Sequence, residues 1–268
     1  MNMLYKFGDH GAEVENLQKR LTSSGHPVPV TGYFDHGTEA AVMAVQKAKG
    51  LVVDGIAGPK TFIALRGVTL PHHLTDADLV NAAELLGVQV AAVRAVNEVE
   101  SVGQGMLPDG RPKILFERHV FWKRLEAHGI DPAPIAAHKP ALVSQERGGY
   151  QGGAAEYMRL AGAMLICEAA AYEACSWGAF QIMGYHWKDL GYESLAEFVA
   201  AMEESEAEQL GAFVRFIAQD AALLAALKAR KWSTFAKLYN GPDYARNLYD
   251  AKLAQAYTKY SQAEKAAA

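Results

Sequence analysis

Gly87-Val88-Gln89-Val90-Ala91-Ala92-Val93-Arg94-Ala95-Val96-Asn97-Glu98-Val99-Glu100-Ser101 repeats its apolar residues at helical spacing. At about 3.6 residues per turn, Val93, Val96 and Glu100 fall on one stripe, while Glu98 shares another face with Arg94. Glu98 is therefore expected to be an ordinary solvated charge. Glu100 is expected to face inward in the last turn, near the negative end of the helix dipole, with Gly103 ending the helix. Burial and the dipole both disfavour a charged carboxyl and raise its pKa. A carboxyl still protonated near neutral pH suits glycoside cleavage, because the leaving sugar oxygen must gain a proton as its bond breaks. A structural hydrogen bond would explain an inward glutamate equally well.

Working outward, the same periodicity predicts helices over about 75–86, 88–101, 117–128, 153–174, 177–183, 194–202, 205–228, 231–239 and 243–262. Thr75 and Asp78 form a reciprocal capping pair at the first of these. The fold class expected is all-α, with at most a short hairpin around Pro108-Asp109-Gly110-Arg111-Pro112. Cys167 and Cys175 fall in one predicted helix, where eight residues separate them by about 12 Å, too far for a disulfide. They are expected to fill apolar space.

The first 67 residues carry an internal repeat. Leu17-Gln18-Lys19-Arg20-Leu21 leads through a turn to Val30-Thr31-Gly32-Tyr33-Phe34-Asp35-His36-Gly37-Thr38, and Val45-Gln46-Lys47-Ala48-Lys49 leads to Val53-Asp54-Gly55-Ile56-Ala57-Gly58-Pro59-Lys60-Thr61. Each copy reads as a helix, a glycine-containing turn and the start of another helix, with Pro59 suited to a first helical position. A small three-helix domain over 1–67, a linker over 68–74 and a mostly helical domain over 75–268 follow.

Composition narrows the function classes. The 268-residue chain carries a formal charge of −4, so its balance is not that of a nucleic-acid binder, whose footprint is basic. No run approaches the roughly 20 apolar residues of a membrane span, and the N-terminus lacks the apolar region of a secretory signal. Synthesis in a cytoplasm without a signal peptide, retention there until release, no stable membrane anchor and a monomeric state are the corresponding expectations. The nine histidines show no compact ligand spacing, so no metal and no cofactor are expected.

The repeat resembles the peptidoglycan-binding domain of many cell-wall hydrolases, through Gly11, Val14, Leu17, Gln18, Leu21 and Gly25, and then Asp54-Gly55-Ile56-Ala57-Gly58-Pro59-Lys60-Thr61. That resemblance implies peptidoglycan as partner, with Leu17, Gln18, Asp35, Gln46, Asp54 and Gly55 as candidate binding residues. The same module also precedes zinc peptidases, so it names the wall without naming the bond. Glu98-Val99-Glu100-Ser101, then Ser176-Trp177-Gly178-Ala179-Phe180-Gln181-Ile182-Met183-Gly184 and Tyr239-Asn240-Gly241, resemble the lysozyme and lytic-transglycosylase superfamily. Gly110 to His119 and Ser176-Trp177-Gly178 are similar, more closely, to the N-acetylmuramidase domain of phage endolysins.

This second resemblance implies a lysozyme-like muramidase domain in which Glu100 is the catalytic acid. It further implies a sugar groove walled by Ser176, Trp177, Gly178, Gln181, Tyr239 and Asn240. Each of these motifs taken alone reads as packing, a cap or a turn. For a second carboxylate, Glu117, Asp109 and Glu98 are candidates, and Glu117 is favoured because its motif matches and because Arg118 and His119 adjoin it; a structural ion pair or a cap explains it as well. The activity implied is hydrolysis of the β-1,4 bond between N-acetylmuramic acid and N-acetylglucosamine, causing host lysis, with synthesis in the host cytoplasm and action on the cell wall (periplasm) after release. The alternatives are a lytic transglycosylase giving 1,6-anhydro products, a wall peptidase or amidase, and a non-catalytic wall-binding protein.

Overall fold

The computed structural model describes residues 4–68, 72–101, 105–241, 245 and 247–267, so Gly103 and part of the expected linker lie outside the described residues. The chain divides into two compact units, Met1–Val80 and Asn81–Ala268.

The first unit holds α1 (Ala12–Ser23), α2 (His36–Ala48) and α3 (Pro59–Ala64), the three helices expected from the repeat. Val14, Leu17, Leu21, Phe34, Val42, Val45 and Ala57 form its core. Inside each copy a buried glutamine replaces the usual apolar residue, and it does the same work twice. Gln18 accepts from the backbone N–H groups of Thr31 (2.9 Å) and Gly32 (3.0 Å) and donates to the Tyr33 carbonyl (2.9 Å) and the Thr38 hydroxyl (3.0 Å). Gln46 accepts from Asp54 (3.2 Å) and Gly55 (3.0 Å) and donates to the Ile56 carbonyl (3.0 Å) and Thr61 (3.4 Å). Buried turn amides without such partners would be costly, so the two glutamines set the two turns. Asp35 caps α2 through the Thr38 N–H at 2.8 Å, and Pro59 opens α3.

The division between the units falls inside α4 (Asp76–Leu86). Its start is tied to the first unit, because Asp76 accepts from the Val53 N–H at 3.3 Å. The expected reciprocal cap is present: Asp78 accepts from the Thr75 N–H at 2.8 Å and hydroxyl at 2.6 Å, and donates its own N–H to Thr75 at 3.3 Å.

The second unit runs α5 (Val90–Glu100), β1 (Ile114–Phe116), α6 (Arg118–Ala127), α7 (Pro132–His138), α8 (Glu156–Met164), α9 (Glu168–Glu173), β2 (Cys175–Trp177), β3 (Ile182–Met183), α10 (Leu195–Glu204), α11 (Glu206–Gln219), α12 (Ala221–Lys228), α13 (Trp232–Asn240) and α14 (Tyr249–Ala267). The three short strands form one antiparallel sheet in the order β1-β2-β3. The molecule is thus helical with one small sheet, the expected class. At the expected hairpin, the Leu107 N–H donates to Arg111 O (2.7 Å) and Met106 bridges Pro112.

Several local expectations change. The segment 177–183 is not a helix but the end of β2, a turn and β3, because Gly178 (φ 71) and Gln181 (φ 52) both adopt left-handed backbone that turns the chain back. The expected 153–174 helix breaks at extended Cys167 (φ −157), which places Cys167 before α9 and Cys175 on β2, not together in one helix. The 205–228 helix breaks at Asp220, whose carboxylate caps α12 by accepting from the Ala222 (2.9 Å) and Leu223 (3.0 Å) N–H groups. Glu98 is not an ordinary solvated charge: it accepts from the Tyr260 hydroxyl (2.6 Å) and Lys259 Nζ (3.2 Å), both on α14. That pair adds a polar clamp to the apolar seam of Ala91, Ala95, Ala256 and Tyr260, which packs α5 along α14.

Candidate active site

Glu100 is the last residue of α5, where its apolar stripe turns it inward. Asn240, the last residue of α13, donates its amide N–H to Glu100 Oε1 at 3.0 Å. Burial holds the Glu100 carboxyl above the usual carboxylate range; the Asn240 hydrogen bond and the Lys252 charge oppose that shift without reversing it. Burial raises Tyr239 and Tyr249, and the charge of Glu100 pushes both further the same way, which places the two phenols beside it. A carboxyl whose raised pKa favours the acid form, with one oxygen engaged by an amide, is suited to donate a proton from its other oxygen.

Tyr239 links this acid to the sheet. Its hydroxyl donates to Phe180 O at 2.7 Å, and its ring packs edge-on to Phe213 and stacks with Phe235. The turn it reaches is internally fixed: the Ser176 hydroxyl donates to Gln181 Oε1 at 2.8 Å, and Gln181 Nε2 donates to Gly178 O at 2.8 Å. Trp177, expected to face sugar, is 1% exposed, and its indole N–H donates to Tyr172 O at 3.2 Å. It packs beneath the turn and presents no face to a ligand.

Two residues that the sequence reading passed over complete the frame. Gln209 on α11, 1% exposed, accepts from the Ala179 N–H at 2.8 Å and donates to Met202 O at 2.9 Å and Gly105 O at 3.4 Å. Glu206, one helical turn earlier, accepts from the Gly105 N–H at 2.8 Å. Together they staple the segment after Glu100 to the turn after β2. A Cβ on Gly105 would lie 2.1 Å from Gln209 Oε1, and one on Gly178 would lie 2.4 Å from its Cδ, so both glycines are required by close approach. The signal was available: Glu206, Gln209, Leu210 and Phe213 share one stripe of α11, so these polar residues stand out there as Glu100 does on α5.

Both Glu117 carboxylate oxygens accept from the Tyr150 hydroxyl (3.0 and 2.9 Å), and His119 Nδ1 lies 3.1 Å from Oε2. Asp109 is exposed and paired with Arg111 at 2.6 Å. The groups acting on Glu100 among the described residues are Asn240, Lys252, Tyr239 and Tyr249, and none is a carboxylate. Also among the described residues, no three His, Cys, Asp or Glu side chains converge to hold a metal ion. Cys175 is fully buried, which pushes its thiol up and away from the reactive thiolate.

In the first unit, the candidate contacts are scaffold. Leu17, Gln18 and Gln46 are buried, Asp35 is a helix cap, and Asp54 and Gly55 form the turn that Gln46 holds. Residues left outward there include Phe7, stacked on His36 with ring centroids 4.2 Å apart, and Tyr33.

Residues 10–65 match a peptidoglycan binding domain, and residues 89–261, more than half of the chain, match the N-acetylmuramidase family. The chain belongs to the N-acetylmuramidase family. This muramidase is similar to the Burkholderia AP3 phage endolysin in its crystal structure, with 56% identity and a TM-score of 0.91 over 97% of this chain and 99% of that one. It therefore has the modular architecture of an endolysin, a wall-binding module ahead of a glycoside-hydrolase domain. Shorter likenesses reach other wall enzymes. N-acetylmuramoyl-L-alanine amidase CwlL of Bacillus licheniformis is 41% identical over 68 residues, 24% of this muramidase and 19% of that protein. The zinc D-Ala-D-Ala carboxypeptidase of Streptomyces albus G is 43% identical over 58 residues, 20% and 23% of the two chains. The muramidase spans about a fifth of the length of these curated relatives.

Proposed function

We propose that this muramidase is a bacteriophage endolysin that hydrolyses the β-1,4 bond between N-acetylmuramic acid and N-acetylglucosamine in peptidoglycan, and so lyses the host cell. The carrying observation is Glu100, a carboxyl whose pKa is raised by burial at a helix end and which Asn240 orients. Asn240 donates to Oε1, which leaves Oε2 to carry the proton to the leaving sugar oxygen. The turn from Ser176 to Gln181 and the Tyr239-Asn240 corner form the groove wall, with Gly178 keeping the approach free of a side chain. Ser176, Trp177 and Gln181 hold that wall in shape. The first unit keeps the enzyme on the polymer and raises the local concentration of bonds to cut.

Mass spectrometry of digested, borohydride-reduced peptidoglycan tests the reading, with Glu100→Gln as the blank. New reducing N-acetylmuramic acid ends are expected; new free amines, or cleavage that persists in Glu100→Gln, would overturn it. One observation favours a second reading. Because no carboxylate acts on Glu100 among the described residues, the substrate's own N-acetyl or 6-hydroxyl group could complete the displacement, and 1,6-anhydro ends would then identify a lytic transglycosylase.

A further inference from the structure

A cavity of about 380 Å³ opens where α6 meets β3, lined by Glu117, His119, Lys123, Arg147, Met183 and Tyr185 among others. Its lining carries three cations, Lys123, Arg124 and Arg147, against the one carboxylate of Glu117, and two of the three cations are not neutralised within the protein. Arg124 on its rim is paired with Glu173 at 2.8 Å, but among the described residues neither Lys123 nor Arg147 has an ion-pair partner. Both cations bear on His119: burial lowers the imidazole's pKa, Glu117 opposes that shift, and the charges of Arg147 and Lys123 add to the lowering.

The pocket is also built, not incidental. The Arg118 guanidinium donates to the carbonyls of Glu146 (3.0 Å), Arg147 (3.0 Å) and Pro140 (3.4 Å), and Tyr150 donates to Glu117. These bonds clamp the loop that carries Arg147 onto the start of α6. Glu117, with its oxygens occupied by Tyr150, serves as an anchor for that loop.

We propose that this pocket binds a carboxylate of the peptide attached to the glycan, which gives the enzyme a second recognition point beside the cleaved bond. Two cations without an ion-pair partner on one pocket suit an anion, and the peptides attached to the glycan carry carboxylates. The placement fits: Phe180, whose carbonyl bonds Tyr239 next to Asn240, is three residues from Met183 on the pocket wall, a strand length of about 10 Å at most. A peptide hanging from a sugar in the groove spans that distance.

The proposal rests on the glycan-cleaving reading, and the experiment separates the two. Initial rates of the full chain and of Lys123→Ala/Arg147→Ala are measured on three soluble polymers: peptide-bearing glycan, the same glycan with its carboxylates capped as methylamides, and glycan stripped of peptide, which bears only the lactyl carboxylate. The variant is expected to raise KM about tenfold on the peptide-bearing polymer at unchanged kcat, and to change nothing on the other two. An equal rise on the capped polymer, or no rise on the peptide-bearing one, overturns the site; a rise on stripped glycan overturns the peptide as its ligand. Calorimetric binding of the three polymers needs no cleavage, so the pocket stays testable if the glycan-cleaving reading itself fails. Unchanged melting of the variant, whose substitutions lie at exposed positions, checks the fold.

Discussion

Glu100 is held between one effect that keeps its proton and two that release it, and their signs make predictions. The acid form is active, so kcat/KM should be flat below the Glu100 pKa and fall as pH rises through it. Lys252 favours the charged form, so Lys252→Met should raise the pKa and move the basic limb to higher pH. A pH profile on soluble glycan checks this, and a limb that moves down would mean another group titrates there. Glu100→Gln should lower kcat by about 10²–10⁴-fold, the usual worth of a positioned acid. It should also raise the melting temperature at neutral pH. Folding has raised this pKa, so stability is lost as pH rises from the unfolded value to the folded one, and an amide removes that loss. Calorimetry at pH 7 gives the comparison. Glu100 was legible because a polar residue on an apolar stripe is visible in one helix. Glu98 was misread because the α14 residues that bury it, Lys259 and Tyr260, lie some 160 positions away in sequence. Lys252 and Tyr249 escaped for the same reason.

Among the elements, the turn between β2 and β3 depends on what α11 brings to it. Gly178→Ala adds a left-handed strain and a clash with Gln209, and should cost roughly 2 kcal/mol or more. Gln209→Ala leaves the Ala179 N–H without its partner, for about 1–3 kcal/mol. Since the Gln209 side chain is itself the obstacle to a Cβ at position 178, the double variant should be less destabilised than the sum of the two, although the strain remains. Denaturant melts of the four chains measure that coupling; strict additivity would mean that the two residues do not meet. Most helices were legible from periodicity alone, including both ends of α5 to within two residues. The 177–183 segment was not, because its apolar pattern fits a helix and only the left-handed backbone of Gly178 and Gln181, held by local bonds among Ser176, Gln181 and Gly178, turns the chain back between strands. In the first unit the repeat was legible, but the structural duty of its glutamines was not: Gln18 and Gln46 recur because two turns need the same bonds.

For the whole molecule, the order of modules makes a prediction about where cutting is fast. A module that only holds the enzyme on its polymer changes the number of bonds within reach and leaves each cut unaltered. Removing it should therefore lower activity on intact walls by about tenfold or more, while the rate on short soluble glycans stays near that of the full chain. The place of truncation matters. The division between units lies inside α4, whose Leu79, Ala82, Ala83 and Leu86 are buried, so a chain cut at residue 80 would lose part of a packed helix. A chain that begins at His72 keeps the Thr75–Asp78 cap and the whole of α4. Turbidity loss of purified walls and reducing-end release from soluble glycan, measured on the full chain and on the chain from His72, separate tethering from catalysis. A selective loss on walls supports the tether. Equal losses on both substrates would mean that residues before His72 support the catalytic unit's structure, and a parallel fall in its melting temperature would identify that cause.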